Sequence, residues 1–194
     1  KLPTSLITGK RTQSSSACPE LVRAGYGVRF AFVQEPSKKD IINTGILKEL
    51  SGNDTFYARG LFKEGTDITP MFKLVMVCNE PPKVEGSQSD QATWNRIRVL
   101  PFESKFVDDA PPTRDEQMKE KKFPIDREFD AKIPDLLEGL VFLLLHEYKN
   151  GVPLVEPNEV KLATQMYKDQ NDFYGIFLQE QVEDRDGEIL SLLE

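Results

Sequence analysis

Glu35 is the residue whose setting most invites chemistry. It follows the apolar, β-branched run Val28 to Val33 and precedes Pro36, which puts a carboxylate at the tip of a strand. There it can polarise a water or help hold a metal-bound phosphate, or, taken alone, be no more than an exposed strand-end glutamate. Asn79 stands in the same relation to a second run, Lys73 to Cys78, just ahead of Pro81 and Pro82; taken alone, an amide in that place is a turn former. Arg59 and Lys63 bracket Phe62 in a segment punctuated by Gly60, Gly65 and Thr66. Taken alone, that spacing with Glu64 and Asp67 reads as a surface hairpin of mixed charge. Arg96 and Arg98 alternate with apolar neighbours, so both can share one face of a strand over Ile97 to Phe102.

Other reactive side chains carry less. His146 is the one histidine, and Cys18 and Cys78 are the two cysteines; this is too few for a Cys/His zinc site or a disulfide framework, and it favours a reducing compartment. Thr8-Gly9-Lys10-Arg11 superficially suggests a phosphate-binding loop. It supplies a single glycine, however, and puts arginine where a metal-binding hydroxyl belongs.

The elements that must position these residues are legible as alternating strands and helices. Between the first two strands, Ser37-Lys38-Lys39-Asp40 reads as a helix start leading into IINTGILKEL and closed by Ser51-Gly52. Phe56 to Thr69 reads as a projecting hairpin. Asp108 to Lys122 is charged and proline-bearing, a surface connection. Beyond it Ile133, Leu136, Leu137, Leu140, Val141, Leu144, Leu145 and Tyr148 recur at helical spacing, with Pro134 near the start and Gly151 past the end. A further helical pattern opens at Pro157 and runs through Val160, Ala163, Met166 and Tyr167 to Phe177. The expected architecture is an α/β sheet with helices over residues 1–107, a charged connection over 108–130, and an all-helical C-terminal subdomain over 131–194.

With 194 residues the chain can bury a sizeable core. Its net charge of -7 argues against coating nucleic acid with the whole surface, while leaving room for a few basic residues on one loop. The strongest apolar stretch, Leu136 to Leu145, is broken by Glu138 and Gly139 and is too short to span a bilayer.

Four blocks in order, FVQEP, LKELSGNDTFYARGLFKEG, LVMVCNEPP and ATWNRIRVLPF, together with GVPLVEP and YKDQNDF in the helical tail, resemble the superfamily 3 AAA+ helicases. The likeness is to the helicase-primases of poxvirus-like large DNA viruses and of phages and plasmids. It implies a partial AAA+ sheet of P-loop NTPase type and an ATP-dependent DNA helicase of viral or mobile-element replication, working as a homo-hexamer on single-stranded or forked DNA. It also implies a possible primase domain in the same polypeptide and a place in the host or bacterial cytoplasm.

By the same resemblance Glu35 is the acidic residue serving ATP and Mg²⁺, alone because Gln34 fills the preceding position. Asn79 is the sensor that orients the attacking water. Arg96 is the arginine finger offered to a neighbouring subunit, with Arg98 as the alternate. Arg59, Phe62 and Lys63 are the DNA-contacting hairpin, and Lys48 at the head of that block either faces the nucleotide or pairs with the neighbours of Glu49. The family's Gly-rich loop ending in Gly-Lys-Ser/Thr is expected upstream of Lys1, so the chain alone is expected to bind and hydrolyse ATP poorly. The competing readings are a non-catalytic ring-assembly or DNA-binding module and another AAA+ initiator ATPase.

Overall fold

The computed structural model describes residues 1–10, 17–86, 90–148, 153, 155–173 and 175–177. It divides into two compact units, Lys1–Val99 with Leu162–Glu194, and Leu100–Lys161.

In the first unit, α1 (Pro19–Ala24) precedes β1 (Phe30–Gln34), β2 (Ile41–Ile42), α2 (Thr44–Ser51), β3 (Phe56–Arg59), β4 (Gly65–Ile68), β5 (Lys73–Val77), β6 (Lys83–Val84) and α3 (Gln91–Trp94). β1 pairs in parallel with β5, running from Phe30 opposite Lys73 to Gln34 opposite Val77. β2 pairs in parallel with β6, and β3 with β4 antiparallel. Parallel neighbours need a crossover, and the long segment from β1 to β5 supplies it.

β1 alternates, burying Ala31 and Val33 while Phe30 and Phe32 stack on the open face with ring centroids 6.4 Å apart. Its continuous apolar run predicts burial on both faces; one is covered. The core beneath it gathers Leu2, Ile7, Leu21, Ile46, Leu50, Phe56, Ile68 and Phe72.

Two sequence expectations shift. Ser37–Asp40 forms a tight turn, with the Ser37 N–H donating to Asp40 Oδ2 at 2.7 Å and the Asp40 N–H to the Ser37 carbonyl at 2.8 Å. The helix instead begins after Asn43, whose Oδ1 accepts from the Ile46 N–H at 3.1 Å. The β-branched pair Ile41-Ile42 prefers the strand, and asparagine is a strong N-cap. The strand expected over Ile97 to Phe102 is absent: these residues are irregular, for reasons visible at the arginines below.

In the second unit, β7 (Lys105–Val107) pairs in parallel with β8 (Lys122–Pro124) across α4 (Arg114–Glu120). The charged connection therefore contains a helix, started by a reciprocal capping box between Thr113 and Glu116. Phe106 packs near Phe123 with centroids 6.0 Å apart, and Arg114 lies over the Phe123 ring. α5 (Phe129–Glu147) carries the expected apolar stripe, and none of its residues is buried. Among the described residues no helix is long and apolar enough to cross a membrane.

α6 (Asn158–Gln170) belongs to the first unit from Leu162 onward. There Tyr167 joins Ile42, Val84 and Trp94 in a second small core, meeting Trp94 edge to face at 5.6 Å. The fold is α/β, with small parallel strand pairs and helices consistent with part of a P-loop NTPase-type sheet and with helices in the C-terminal third.

Candidate functional site

Parallel pairing delivers two chain reversals to the same edge, because β1 and β5 end opposite each other. The Glu35 N–H donates to the Val77 carbonyl at 2.9 Å, one step beyond the ladder. Glu35 then turns with φ +54°, the left-handed region that costs a non-glycine residue about 1 kcal/mol. Asn79 leaves the neighbouring strand two residues after Val77. Glu35 and Asn79 thus line one open cleft of about 270 Å³ with Pro36, Lys38 and Glu80.

Lys38 and Glu80, which the sequence did not single out, form an ion pair across this cleft at 2.5 Å with both side chains largely exposed. Such a pair adds little stability, but it places a cation and a second carboxylate beside Glu35. The signal for Glu80 was its position directly after Asn79 at the strand exit.

The donor set suits Mg²⁺ arriving on a nucleotide. Glu35 offers carboxylate oxygens of the kind this hard cation takes, and it commonly uses one or two of them alongside phosphates and water, while Glu80 is already paired with Lys38. Burial pushes the thiol of Cys78, the residue before Asn79, up from its ordinary value. Among the described residues no group of three or more His, Cys, Asp or Glu could hold a metal ion by itself.

The hairpin has its own geometry. Phe56, Ala58 and Ile68 face the core, while Tyr57 and Arg59 face out. A Cβ at Gly25 would meet Ile68 at 2.1 Å, and one at Gly65 would meet the Tyr57 ring at 1.9 Å, so glycine permits close packing at both its base and its tip. At the tip, Phe62 has φ +54° and is 97% exposed. Arg59, Phe62 and Lys63 are brought together around an open concavity of about 590 Å³ with Tyr57, Glu64 and Gly65. An aromatic held in water beside two cations is an arrangement suited to stacking on a base while the cations meet phosphates.

Arg96 and Arg98 do not line the cleft of Glu35 and Asn79. Arg96 follows α3 and donates from Nη1 to the Ala92 carbonyl at 2.8 Å. Arg98 turns back on the carbonyls of Ile97, Asn95 and Trp94, at 2.7, 3.3 and 3.4 Å. The Val99 N–H donates to Thr164 Oγ1 at 3.0 Å. Side chains thus take up the backbone groups that a strand would have used.

Lys48 has a defined partner: its ammonium pairs with Asp90, the N-cap of α3. The bond from Lys48, and then those from Thr93, hold the Asp90 carboxyl below the usual carboxylate range. Thr8 and Gly9 lie against β2, with the Gly9 N–H donating to the Ile41 carbonyl at 3.0 Å. That is a strand-edge contact rather than a cradle of convergent N–H groups.

The chain is 38% identical over 187 residues to the protein named "Putative helicase 022R" of Frog virus 3 (isolate Goorha), covering 93% of this chain and 19% of that protein. It is 37% identical over 182 residues to "Putative helicase L207/L206" of Acanthamoeba polyphaga mimivirus, covering 89% and 18%. The chain is similar to part of viral proteins that carry helicase names. At 24% identity over 190 residues it is also similar to "Putative primase C962R" of African swine fever virus (isolate Pig/Kenya/KEN-50/1950), covering 94% of this chain and 19% of that protein. The chain spans about a fifth of the length of the curated relatives it matches. No family model matches it.

Proposed function

We propose that this chain supplies the acidic residue, the sensor, the arginine finger and the DNA-contacting hairpin of a helicase of the superfamily 3 AAA+ type, whose ATP hydrolysis also needs a phosphate-binding loop from the parent protein. The whole protein works as a homo-hexameric ring that translocates on single-stranded DNA and unwinds forked DNA, with a primase domain in the same polypeptide, at a viral replication site in the host cytoplasm. The observation that carries this reading is the juxtaposition of Glu35 and Asn79 at the ends of adjacent parallel strands. Similarity to viral proteins named as helicases supports it.

In hydrolysis a water attacks the γ-phosphorus, the bond to the bridging oxygen breaks, and the water's proton must leave. Glu35 takes the role of orienting that water and accepting its proton. The Asn79 amide, exposed beside it, holds the water or a γ-oxygen in line. Glu35 would hold Mg²⁺, which would supply neutralisation of phosphate charge. Arg96 serves the nucleotide of the adjoining subunit, and the hairpin of Arg59, Phe62 and Lys63 follows the DNA strand.

The direct test is ATP turnover by the full-length protein with and without single-stranded DNA. Asn79→Ala is expected to lower turnover about 10²-fold with KM for ATP changed only a few-fold. Turnover close to the parent's would remove Asn79 from the site. For the hairpin, Lys63→Ala is expected to weaken single-stranded DNA binding and to reduce the slope of log K against log salt by about 0.7, the value for one lost phosphate contact. An unchanged slope would mean that Lys63 does not touch the backbone.

A further inference from the structure

The YKDQNDF segment of the helical tail has no part in the chemistry derived so far, yet it supplies polar groups to the first unit's interior. Tyr167 and Asn171 are 7% and 4% exposed. The Tyr167 hydroxyl donates to the Pro82 carbonyl. Asn171 Oδ1 accepts from the Val84 N–H at 2.9 Å, and its Nδ2 donates to the Tyr167 carbonyl at 2.8 Å. Of these groups the Pro82 carbonyl lies on the exit of β5, three residues past Asn79, and the Val84 N–H lies in β6.

That exit is short and stiff. At its near end Val77 is fixed in the β1–β5 ladder, and at its far end β6 pairs with β2. Between them run Cys78, Asn79, Glu80, Pro81 and Pro82, and the two prolines remove most of the rotational freedom of their half. Pro82 has no N–H, so its carbonyl is the one backbone group by which it can be held, and Tyr167 takes it. The other side of the Tyr167 ring meets Trp94, two residues before Arg96. One side chain of the tail therefore touches both segments that carry candidate nucleotide-facing residues.

We propose that Tyr167 and Asn171 are positioning residues that fix the Asn79 amide for ATP hydrolysis by clamping the Pro82–Val84 backbone to α6 and the residue that follows it. This rests on the reading of Asn79 given above. Simple core filling would need only apolar contact. Directed bonds to a carbonyl and an N–H specify where the backbone sits, and a buried polar group left unpaired there would be costly.

Tyr167→Phe in the full-length protein removes the bond to Pro82 and keeps the ring against Trp94. Turnover per titrated nucleotide site is expected to fall about five- to tenfold, with KM for ATP and affinity for single-stranded DNA within about twofold. In the nucleotide-free protein, amide hydrogen exchange should speed up at Val84 and Glu85, whose N–H groups bond Asn171 and the Ile42 carbonyl, but not in β1. On an Asn79→Ala background the same substitution should cause no additional loss, because its effect passes through Asn79. Asn171→Asp, which keeps the acceptor for Val84 and loses the donor to Tyr167, serves as a second variant with the same readouts.

Parental turnover or unchanged exchange in Tyr167→Phe overturns the proposal. So does an effect that multiplies with that of Asn79→Ala, which would mark Tyr167 as a general stability residue. If Asn79→Ala alone leaves turnover intact, the sensor reading itself fails and takes the clamp with it.

Discussion

Glu35→Gln in the full-length protein is expected to cut ATP turnover by about 10³-fold or more while leaving ATP affinity within a few-fold. The size of the effect follows from how little backup the site has. Gln34, the preceding residue, lies on the exposed face of β1 and carries no charge. The other carboxylate of the cleft, Glu80, is engaged by Lys38. Among the described residues that line the cleft no carboxylate other than these two is present, so under the proposed reading loss of Glu35 would remove proton acceptance and a metal contact together. Glutamine keeps the side-chain length and bears the same cost at φ +54° as glutamate, so the backbone turn beyond β1 should persist. The Glu35 N–H bond to Val77 involves no side-chain atom and also remains. Single-turnover hydrolysis separates the chemical step from product release. A loss smaller than about tenfold would place the general base elsewhere.

What the sequence made legible was local. β1 and β5 announced themselves as β-branched runs, and their polar ends named Glu35 and Asn79 before any contact was known. The hairpin was marked by Gly60 and Gly65, and the outer end of the exposed Tyr57 ring lies where a Cβ at Gly65 would be. The expectation failed where side-chain hydrogen bonds, some local and one from the distant Thr164, decide the conformation. Ile97 to Phe102 has strand composition, but Arg98 and Thr164 occupy its backbone groups. Ser37 resembled a helix cap, yet Asp40 closes a turn with it and Asn43 caps the helix three residues later. No pattern within either segment joins Lys48 to Asp90, or Tyr167 to Pro82, because each pair meets only through the tertiary fold. The charged run before Lys122 carried its own helix signal in Thr113 and Glu116, and its prolines obscured it.

The other large effect is expected at Arg96. Arg96→Ala should lower DNA-stimulated ATPase about 10³-fold, with nucleotide binding largely retained, since a guanidinium reaching a neighbour's phosphates acts mainly on the transition state. Within one chain Arg96 lies outside the Glu35 cleft and rests on the Ala92 carbonyl of its own short helix. That contact is an exposed single hydrogen bond of modest net worth, and a phosphate across a subunit boundary can displace it at little cost. Arg98 differs, since three carbonyls of its own segment hold it, so Arg98→Ala should disturb the local fold more than the chemistry. Arg96→Lys should not restore turnover, because an ammonium lacks the planar fork. Mixing gives the decisive form of the test. Arg96→Ala subunits keep Glu35, and Glu35→Gln subunits keep Arg96, so an equimolar ring would contain on the order of a quarter intact interfaces. Recovered turnover in the mixture, from two variants that are each inactive alone, is the expected result. A mixture as inactive as its parts would mean that Arg96 serves the nucleotide of its own subunit or none, and the shared-site ring would fail with it.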